Sequence, residues 1–162
     1  MHAIKSATLL HRGIPLTSVL AALLLFSGAA MAEGKSDKSL YERLGGVYAI
    51  ASVVDDFIER LLVNKTLNAN PAIKEARARV PKAGLKYQVT AFVSQATGGP
   101  EKYTGRPMKL AHAHLNITER EWQAMVADFR KSLNKFKVPR AEQNELIALV
   151  GTTKNDIVAK AR

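Results

Sequence analysis

Apolar residues recur at intervals of three and four positions along most of this chain, and that spacing restricts it to helical folds. The clearest series, within residues 47–62, consists of Val47, Ile50, Val54, Phe57 and Leu61. Such spacing places the side chains on one face of an amphipathic helix. No segment alternates apolar and polar residues as a half-buried strand does. The sequence therefore predicts an all-α fold.

Cap residues and helix breakers divide the chain into further helices. Ser39 and Glu42 have the spacing of a capping box, which predicts a short helix ended by Gly45-Gly46. Residues 64–70 interrupt the next helix. Asn70-Pro71 is typical of a cap followed by a helix-starting proline, so a short charged helix is expected there.

Four more helices are expected in the second half of the chain. The first runs from Pro81 to the glycines at 98–99, and its apolar face consists of Leu85, Val89, Phe92, Val93 and Ala96. The second is a two-turn helix whose apolar face consists of Met108, Ala111, His112 and Leu115. A capping box opens the third, whose apolar stripe consists of Trp122, Met125, Phe129, Leu133 and Phe136. Pro139 begins the last helix, and a bend is expected near Gly151.

The first 32 residues have the layout of an export signal. Lys5 and Arg12 precede an apolar stretch, and Ala30-Met31-Ala32 fits the pattern at which signal peptidase cleaves. The alternative is a membrane anchor. It is less favoured because Pro15 and Gly28 interrupt the stretch, which falls near or below the roughly 20 apolar residues of a span. We expect cleavage after Ala32 and an exported protein without a stable span, periplasmic if the organism is Gram-negative.

Composition excludes several classes of site. The chain has no cysteine, which excludes disulfides, zinc–thiolate centres, iron–sulfur clusters and c-type haem attachment. Its 24 Lys and Arg against 14 Asp and Glu give a formal net charge of +10. Removing residues 1–32 leaves 22 basic and 14 acidic residues, a charge of +8, in a polar tail (33–38) and a folded domain (39–162). The basic residues are scattered without interleaved aromatic residues, so no nucleic-acid partner is expected.

Two histidines, His112 and His114, remain after signal removal, and their spacing separates them. Residues two apart on a helix point about 200° apart, so this pair cannot chelate one ion. His112 shares the apolar face with Met108 and Leu115, whereas His114 is expected on the opposite, solvent-exposed face. Periodicity alone allows two roles for His112. It is either a core histidine bonded to a backbone carbonyl or an axial ligand to a cofactor held among helices.

Five segments together resemble the group I truncated haemoglobins. They are LYERLGG at 40–46, FIER at 57–60, TAFVSQATGGPEKYTGRPMKLAH at 90–112, FKVP at 136–139 and VGTTKNDIV at 150–158. The paired glycines, the KYTGR loop and the M-x-x-x-H helix follow the family's order and spacing over nearly the whole mature chain. The resemblance implies a two-over-two helical sandwich around one haem b.

The resemblance also implies roles for individual residues. The histidine of M-x-x-x-H, His112, would be the proximal iron ligand, and a diatomic gas would be the binding partner. Lys102 and Arg106, beside Tyr103, are candidates to pair with haem propionates, and the alternative is that both are simply exposed to solvent. The other candidate contacts of the cofactor are apolar: Phe57, Ile58, Leu85, Val89, Phe92, Met108 and Leu115. The alternative role for such apolar side chains on helical stripes is plain packing in the core.

This chain departs from the family where the gas would bind. The family usually has a tyrosine at the position of Ile58, and two polar positions, commonly glutamine, fall on Leu85 and Val89. The longer connection before Leu85 leaves room for a shift in alignment that would bring in the neighbouring Tyr87 or Gln88. We therefore expect an apolar distal pocket, which favours CO and NO relative to oxygen because bound oxygen depends more on hydrogen bonds.

The leading interpretation is an exported haem protein that binds oxygen, NO or CO reversibly at five-coordinate iron. NO dioxygenase or peroxidase-like turnover would require an external electron donor as a second partner. The alternative is a haem-free helical interaction protein of the cell envelope that keeps only the globin scaffold. A visible spectrum of the purified protein distinguishes the two.

Overall fold

The computed structural model describes residues 38–159. The predicted export signal, its cleavage site and most of the polar tail lie outside these residues. All of the described residues belong to one compact unit. Within residues 38–159 no helix is both long and apolar enough to cross a membrane.

The described part of the chain is built from helices, as the periodicity predicts. Their bounds are α1 Leu40–Arg43, α2 Gly46–Val63, α3 Lys65–Asn68, α4 Pro71–Arg79, α5 Lys82–Ala96, α6 Met108–His112, α7 Glu119–Lys135, α8 Arg140–Gly151 and α9 Lys154–Ile157. No strand forms between residues 38 and 159; a single parallel bridge joins Ile117 to Val158. The all-α prediction is confirmed.

The predicted caps form as the sequence indicates. Ser39 with Glu42, and Thr118 with Glu121, make complete capping boxes at the starts of α1 and α7. The side chain of Asn70 accepts hydrogen bonds from the two backbone N–H groups that follow Pro71. These bonds satisfy donors that the first helical turn leaves unpaired, so local sequence fixes where these helices begin.

The core lies where α2 packs against α5 and α7, with α8 against α7 and α1. Its buried members are Leu40, Ile50, Val53, Val54, Phe57, Ile58, Val93, Phe129, Leu133 and Leu146. The Phe57 and Phe129 rings meet at 5.0 Å between centroids in a tilted pair, an arrangement that stabilises aromatic contacts. The long helices therefore hold each other through one apolar cluster.

A second, smaller apolar cluster lies beside the main core. Leu67 of α3, Ile73 of α4 and Ile117 are its buried members, and Leu115 and Ile157 pack against them. It joins the polypeptide before α5 to the segment after α6 and to α9. The 64–70 interruption predicted from sequence thus contains a short helix with a packing role.

Two boundaries differ from the sequence prediction. Phe136, expected in the buried stripe of α7, is 40% exposed. The reason is that α7 ends at Lys135 and Lys137 adopts a left-handed φ of 54°, which turns the chain away from the helix axis. The bend expected near Gly151 is a break, because α8 ends there and α9 begins at Lys154.

Candidate functional site

The ring of His112 is held in one orientation by its own helix. Its Nδ1 lies 2.8 Å from the backbone carbonyl oxygen of Met108, and since a carbonyl can only accept, Nδ1 carries the proton. Within residues 38–159 the other ring nitrogen, Nε2, has no hydrogen-bond partner. The side chain is half-buried, and this burial lowers the pKa of His112. The neutral ring therefore presents an unprotonated nitrogen with a lone pair available to a metal.

His114 differs from His112 as the spacing predicts. It lies in the turn after α6 and is exposed, whereas His112 is half-buried. The two rings therefore do not face a common ion. Of the two, only His112 combines partial burial with a fixed ring.

The predicted two-turn helix through Leu115 is wrong, because α6 ends at His112. The N–H of Leu115 donates to the His112 carbonyl at 2.9 Å in a tight turn, and Asn116 follows with a left-handed φ of 49°. The Leu115 side chain consequently packs in the second cluster with Ile117 instead of sharing a helix face with His112. Tertiary packing after the turn outweighs the helical spacing.

The same turn anchors the histidine helix to the rest of the fold. The amide Nδ2 of Asn70 donates to the Leu115 carbonyl at 2.9 Å, and the N–H of Ala159 donates to the Ile117 carbonyl at 2.8 Å. Helix α9 packs against α6. A short helix has little stability of its own, so these contacts with distant residues hold His112 in place.

The loop of residues 97–107, which precedes α6 in the chain, is organised around Tyr103. Its ring meets Phe92 of α5 edge-on at 5.5 Å between centroids, and its hydroxyl donates to the Arg106 carbonyl at 2.8 Å. Gly105 allows this closure, since a Cβ there would lie 2.4 Å from the tyrosine ring. Burial raises the pKa of Tyr103, so the hydroxyl stays protonated. The loop thus ties α5 to the start of α6.

Lys102 and Arg106 extend from this loop into solvent. Both are exposed, and within the described residues neither forms an ion pair. Their charges therefore remain available to a carboxylate ligand. The Met108 side chain, which follows them in α6, is half-buried and lies outside both apolar clusters.

The predicted apolar residues of α2 and α5 come together in the main core. Phe57 and Ile58 are 9% and 2% exposed. Leu85, Val89 and Phe92 are partly buried and pack against the same cluster. These five side chains therefore form one apolar surface, and Ile58 brings no hydroxyl to it.

Two polar residues of α5, Tyr87 and Gln88, come directly before Val89, and their environments differ. Tyr87 is 64% exposed. The Gln88 amide is held against the loop, with Nε2 donating to the hydroxyl oxygen of Thr104 at 3.3 Å. Its Oε1 is buried and has no partner, alone in this respect among the described side chains. Of the two residues considered from the sequence, Gln88 is half-buried and Tyr87 is exposed.

Sequence reasoning missed the ion pairs that join α5 to α2. Lys86 Nζ lies 2.5 Å from carboxylate oxygens of both Asp55 and Glu59, and Lys82 Nζ lies 2.9 Å from Glu59. The opposite charges favour one relative placement of the two helices. The paired residues are far apart in the chain. The sequence signal for these ion pairs is therefore limited to acidic residues spaced four apart on α2 and basic residues spaced four apart on α5.

A half-open apolar pocket of about 200 Å³ lies beside the core, and His112 does not line it. Its lining is mainly from α2, α7 and α8, and includes Ile50, Val53, Phe129 and Leu146. None of the site residues predicted from sequence lines it. The candidate site is therefore defined by the residues around α6 and the 97–107 loop.

The comparisons with known proteins agree with this fold. Residues 39–159 match the family model of bacterial-like globins. The chain therefore belongs to this globin family.

Among its relatives the group 1 truncated haemoglobins recur. The chain is 33% identical to the group 1 truncated haemoglobin GlbN of Synechocystis sp. over 117 residues, 70% of this chain and 90% of the relative. A group 1 truncated haemoglobin of Tetrahymena pyriformis is 26% identical over 76% of this chain and 97% of its own. Within the globins, the chain is thus a group 1 truncated haemoglobin.

Solved structures show the same architecture. The Fe(III) form of the Tetrahymena pyriformis truncated haemoglobin superposes with a TM-score of 0.65 at 26% identity, over 76% of this chain and all of that one. The 2/2 haemoglobin of Synechococcus sp. PCC 7002, in the cyanomet state with covalently attached haem, gives 0.64 at the same identity and coverage. The predicted two-over-two truncated globin fold is confirmed.

Proposed function

We propose that this protein binds haem b, one iron per chain, through Nε2 of His112 and uses it to bind a diatomic gas reversibly. The observation that carries the proposal is the His112 ring itself. It is neutral, fixed through Nδ1 to the Met108 carbonyl, and has Nε2 without a partner. That is the state a histidine needs to ligate haem iron. Haem, when bound, supplies an iron with a further coordination position that a gas can occupy.

Residues near His112 in the chain match the apolar ring of a porphyrin and its negatively charged propionate edge. Phe92, Tyr103 and Met108 offer apolar surface that excludes water from the cofactor. Lys102 and Arg106 are exposed and without ion pairs in the described chain, so they can pair with the propionates at the solvent edge. The residues present therefore fit the group that the globin relatives carry.

The gas-binding side is proposed to be unusually apolar. The three positions where the family has polar side chains are occupied by Ile58, Leu85 and Val89, and all three pack in one apolar cluster. Bound oxygen carries partial negative charge and loses stabilisation without donors. We therefore expect oxygen to be held less well relative to CO than in members of the family with a distal tyrosine.

A spectrum tests the proposal directly. The protein is purified with haem, reduced to the ferrous state and recorded with and without CO. A CO-dependent shift of the main visible band, with one haem per chain, supports the proposal. A protein that takes up no haem under these conditions contradicts it, and would favour the haem-free interaction protein. Membership of the globin family does not favour that alternative.

A further inference from the structure

Positive charge is concentrated around the turn between α7 and α8. Residues 129–141 include five basic residues and no Asp or Glu. They cover the last turns of α7, the turn after it and the start of α8. All five basic residues are exposed: Arg130, Lys131, Lys135, Lys137 and Arg140. Lysines and arginines that look scattered along the sequence are therefore gathered at one place in the fold.

Helices α2 and α3 extend this positive surface along the side of α7. Residues from the end of α2, the start of α3 and α7 line one open depression of about 290 Å³, among them Val63, Lys65 and Lys131. Lys131 and Lys135 are about one turn apart on α7, and Lys135 Nζ lies 5.5 Å from the centre of the Phe136 ring. We call this continuous surface the basic face; it consists of Arg60, Val63, Lys65, Lys131, Lys135, Phe136 and Lys137.

The acidic residues next to the basic face lie beneath it. The side chains of Asp128 and Asp56 are only 7% and 12% exposed. Lys131 donates to Asp128 at 2.9 Å, and Arg60 donates to Asp56 at 2.6 Å. Lys135 also pairs with Asp56. The two carboxylates therefore hold these basic side chains in place, while solvent meets mainly positive charge.

Two lysines of the basic face carry charge that the described polypeptide does not neutralise. Within residues 38–159, Lys65 and Lys137 form no ion pair. The exposed acids of α2, Asp55 and Glu59, pair with Lys86 of α5 instead. The charges of Lys65 and Lys137 therefore remain available to an anionic partner.

Two apolar side chains are exposed among these basic residues. Val63 is 75% exposed and Phe136 is 40% exposed. At a bilayer surface, such side chains enter the boundary between headgroups and acyl chains, while lysines and arginines meet the anionic headgroups. Nucleic-acid bases stack on several aromatic rings, whereas the basic face has one. The combination favours an anionic bilayer over a nucleic acid or an acidic protein.

We propose that the basic face docks the protein reversibly on a bilayer that contains anionic phospholipids, with Val63 and Phe136 entering the headgroup layer. Docking of this kind needs no membrane-spanning helix, and residues 38–159 contain none. Each basic residue near an anionic surface strengthens binding about fivefold. The basic face shares no residue with the candidate haem site, so the inference stands independently of the proposed haem function.

Vesicle sedimentation tests the docking. The purified protein should sediment with vesicles of mixed phosphatidylglycerol and phosphatidylcholine, but not with phosphatidylcholine alone. Raising the salt from about 0.1 M to about 1 M should release it, because the screening length falls from about 10 Å to about 3 Å. The double variant Lys65→Gln, Lys137→Gln removes two unpaired charges and should weaken binding roughly 25-fold.

A second double variant, Lys109→Gln, Arg120→Gln, is the matched control. Both residues are exposed, lie outside the basic face and form no ion pair within residues 38–159. The control lowers the net charge by the same amount, yet it should bind vesicles like wild type. All variants share one amino terminus, so residues 1–37 contribute equally to every comparison.

The variant Val63→Trp reports whether the apolar side chains enter the bilayer. The native Trp122 is 4% exposed, so its emission should stay constant. The emission of the new tryptophan should shift to shorter wavelength with phosphatidylglycerol vesicles, because the indole leaves water. Inorganic phosphate at the same phosphate concentration should produce no shift.

Several results would overturn the proposal. Equal weakening in the two double variants would mean that net charge alone draws the protein to vesicles, and equal binding to pure phosphatidylcholine would remove the role of charge. Displacement from vesicles by inorganic phosphate would make the depression a phosphate site. An unshifted emission in Val63→Trp would exclude entry into the headgroup layer. Tighter binding of polyglutamate or of a single-stranded oligonucleotide than of vesicles would assign the basic face to an acidic protein or a nucleic acid.

Discussion

Replacing Ile58 with tyrosine should slow oxygen release roughly tenfold to a hundredfold. Ile58 is 2% exposed, and neither it nor its neighbours Leu85 and Val89 carry a donor. A tyrosine hydroxyl at this position would bond to the partial negative charge of bound dioxygen. A bond of this kind, close to one with a charged group, contributes about 1.5–3 kcal/mol. Because about 1.4 kcal/mol corresponds to a factor of ten in a rate, this bond should slow oxygen release by roughly tenfold to a hundredfold.

The larger ring also has to fit a packed core, which costs about 1–3 kcal/mol of folding stability. Ile58→Phe brings the same ring without the hydroxyl and is therefore the matched control. Stopped-flow mixing of the oxygenated proteins with CO gives the oxygen release rates, and thermal unfolding reports the packing cost in both variants. Equal release rates in the tyrosine and phenylalanine variants would show that the hydroxyl does not bond to bound oxygen. A wild type that already releases oxygen as slowly as Ile58→Tyr would contradict the apolar distal pocket.

Three further predictions concern the rest of the chain. Protein recovered from the cell envelope should begin at Glu33, and an intact first methionine in the mature form would contradict the signal assignment. Gly105→Ala should lower the melting temperature and the haem affinity, because its Cβ would lie 2.4 Å from Tyr103; Gly84→Ala, with open space around it, should not. Burial alone would raise the pKa of Asp56, but hydrogen bonds from Lys135, Arg60 and Ser132 lower it from 3.8 to about 2. Its ionised form therefore stabilises the fold fully above pH 3.8 and no longer below about 2, so the urea midpoints of wild type and Asp56→Asn should converge as the pH falls through this window.

Local signals in the sequence were sufficient to predict where most of the helices begin. The capping boxes of Ser39 with Glu42 and Thr118 with Glu121 form as predicted, because each involves residues only three apart. The same holds for the Asn70-Pro71 start of α4. Periodicity also distinguished the half-buried His112 from the exposed His114. These features depend on backbone geometry that is the same in any fold.

Features that depend on contacts between distant residues could not be predicted in this way. Helix α6 stops at His112 because Leu115 packs with Ile117 and its carbonyl accepts from Asn70, 45 positions earlier. The Gln88–Thr104 bond spans 16 positions. A single sequence carries no direct record of which distant segments meet, so the periodic extension of α6 was the natural but wrong prediction.

A haem titration of two histidine variants decides whether His112 is the iron ligand. His112→Ala removes the ring whose Nε2 is free and whose Nδ1 is fixed by Met108, whereas His114→Ala changes only an exposed neighbour. Circular dichroism establishes that both variants keep their helices. We expect His112→Ala to lose tight haem binding, added imidazole to restore part of the ferrous spectrum, and His114→Ala to titrate like wild type. Equal haem affinity in the two variants would contradict the assignment of His112 as the iron ligand.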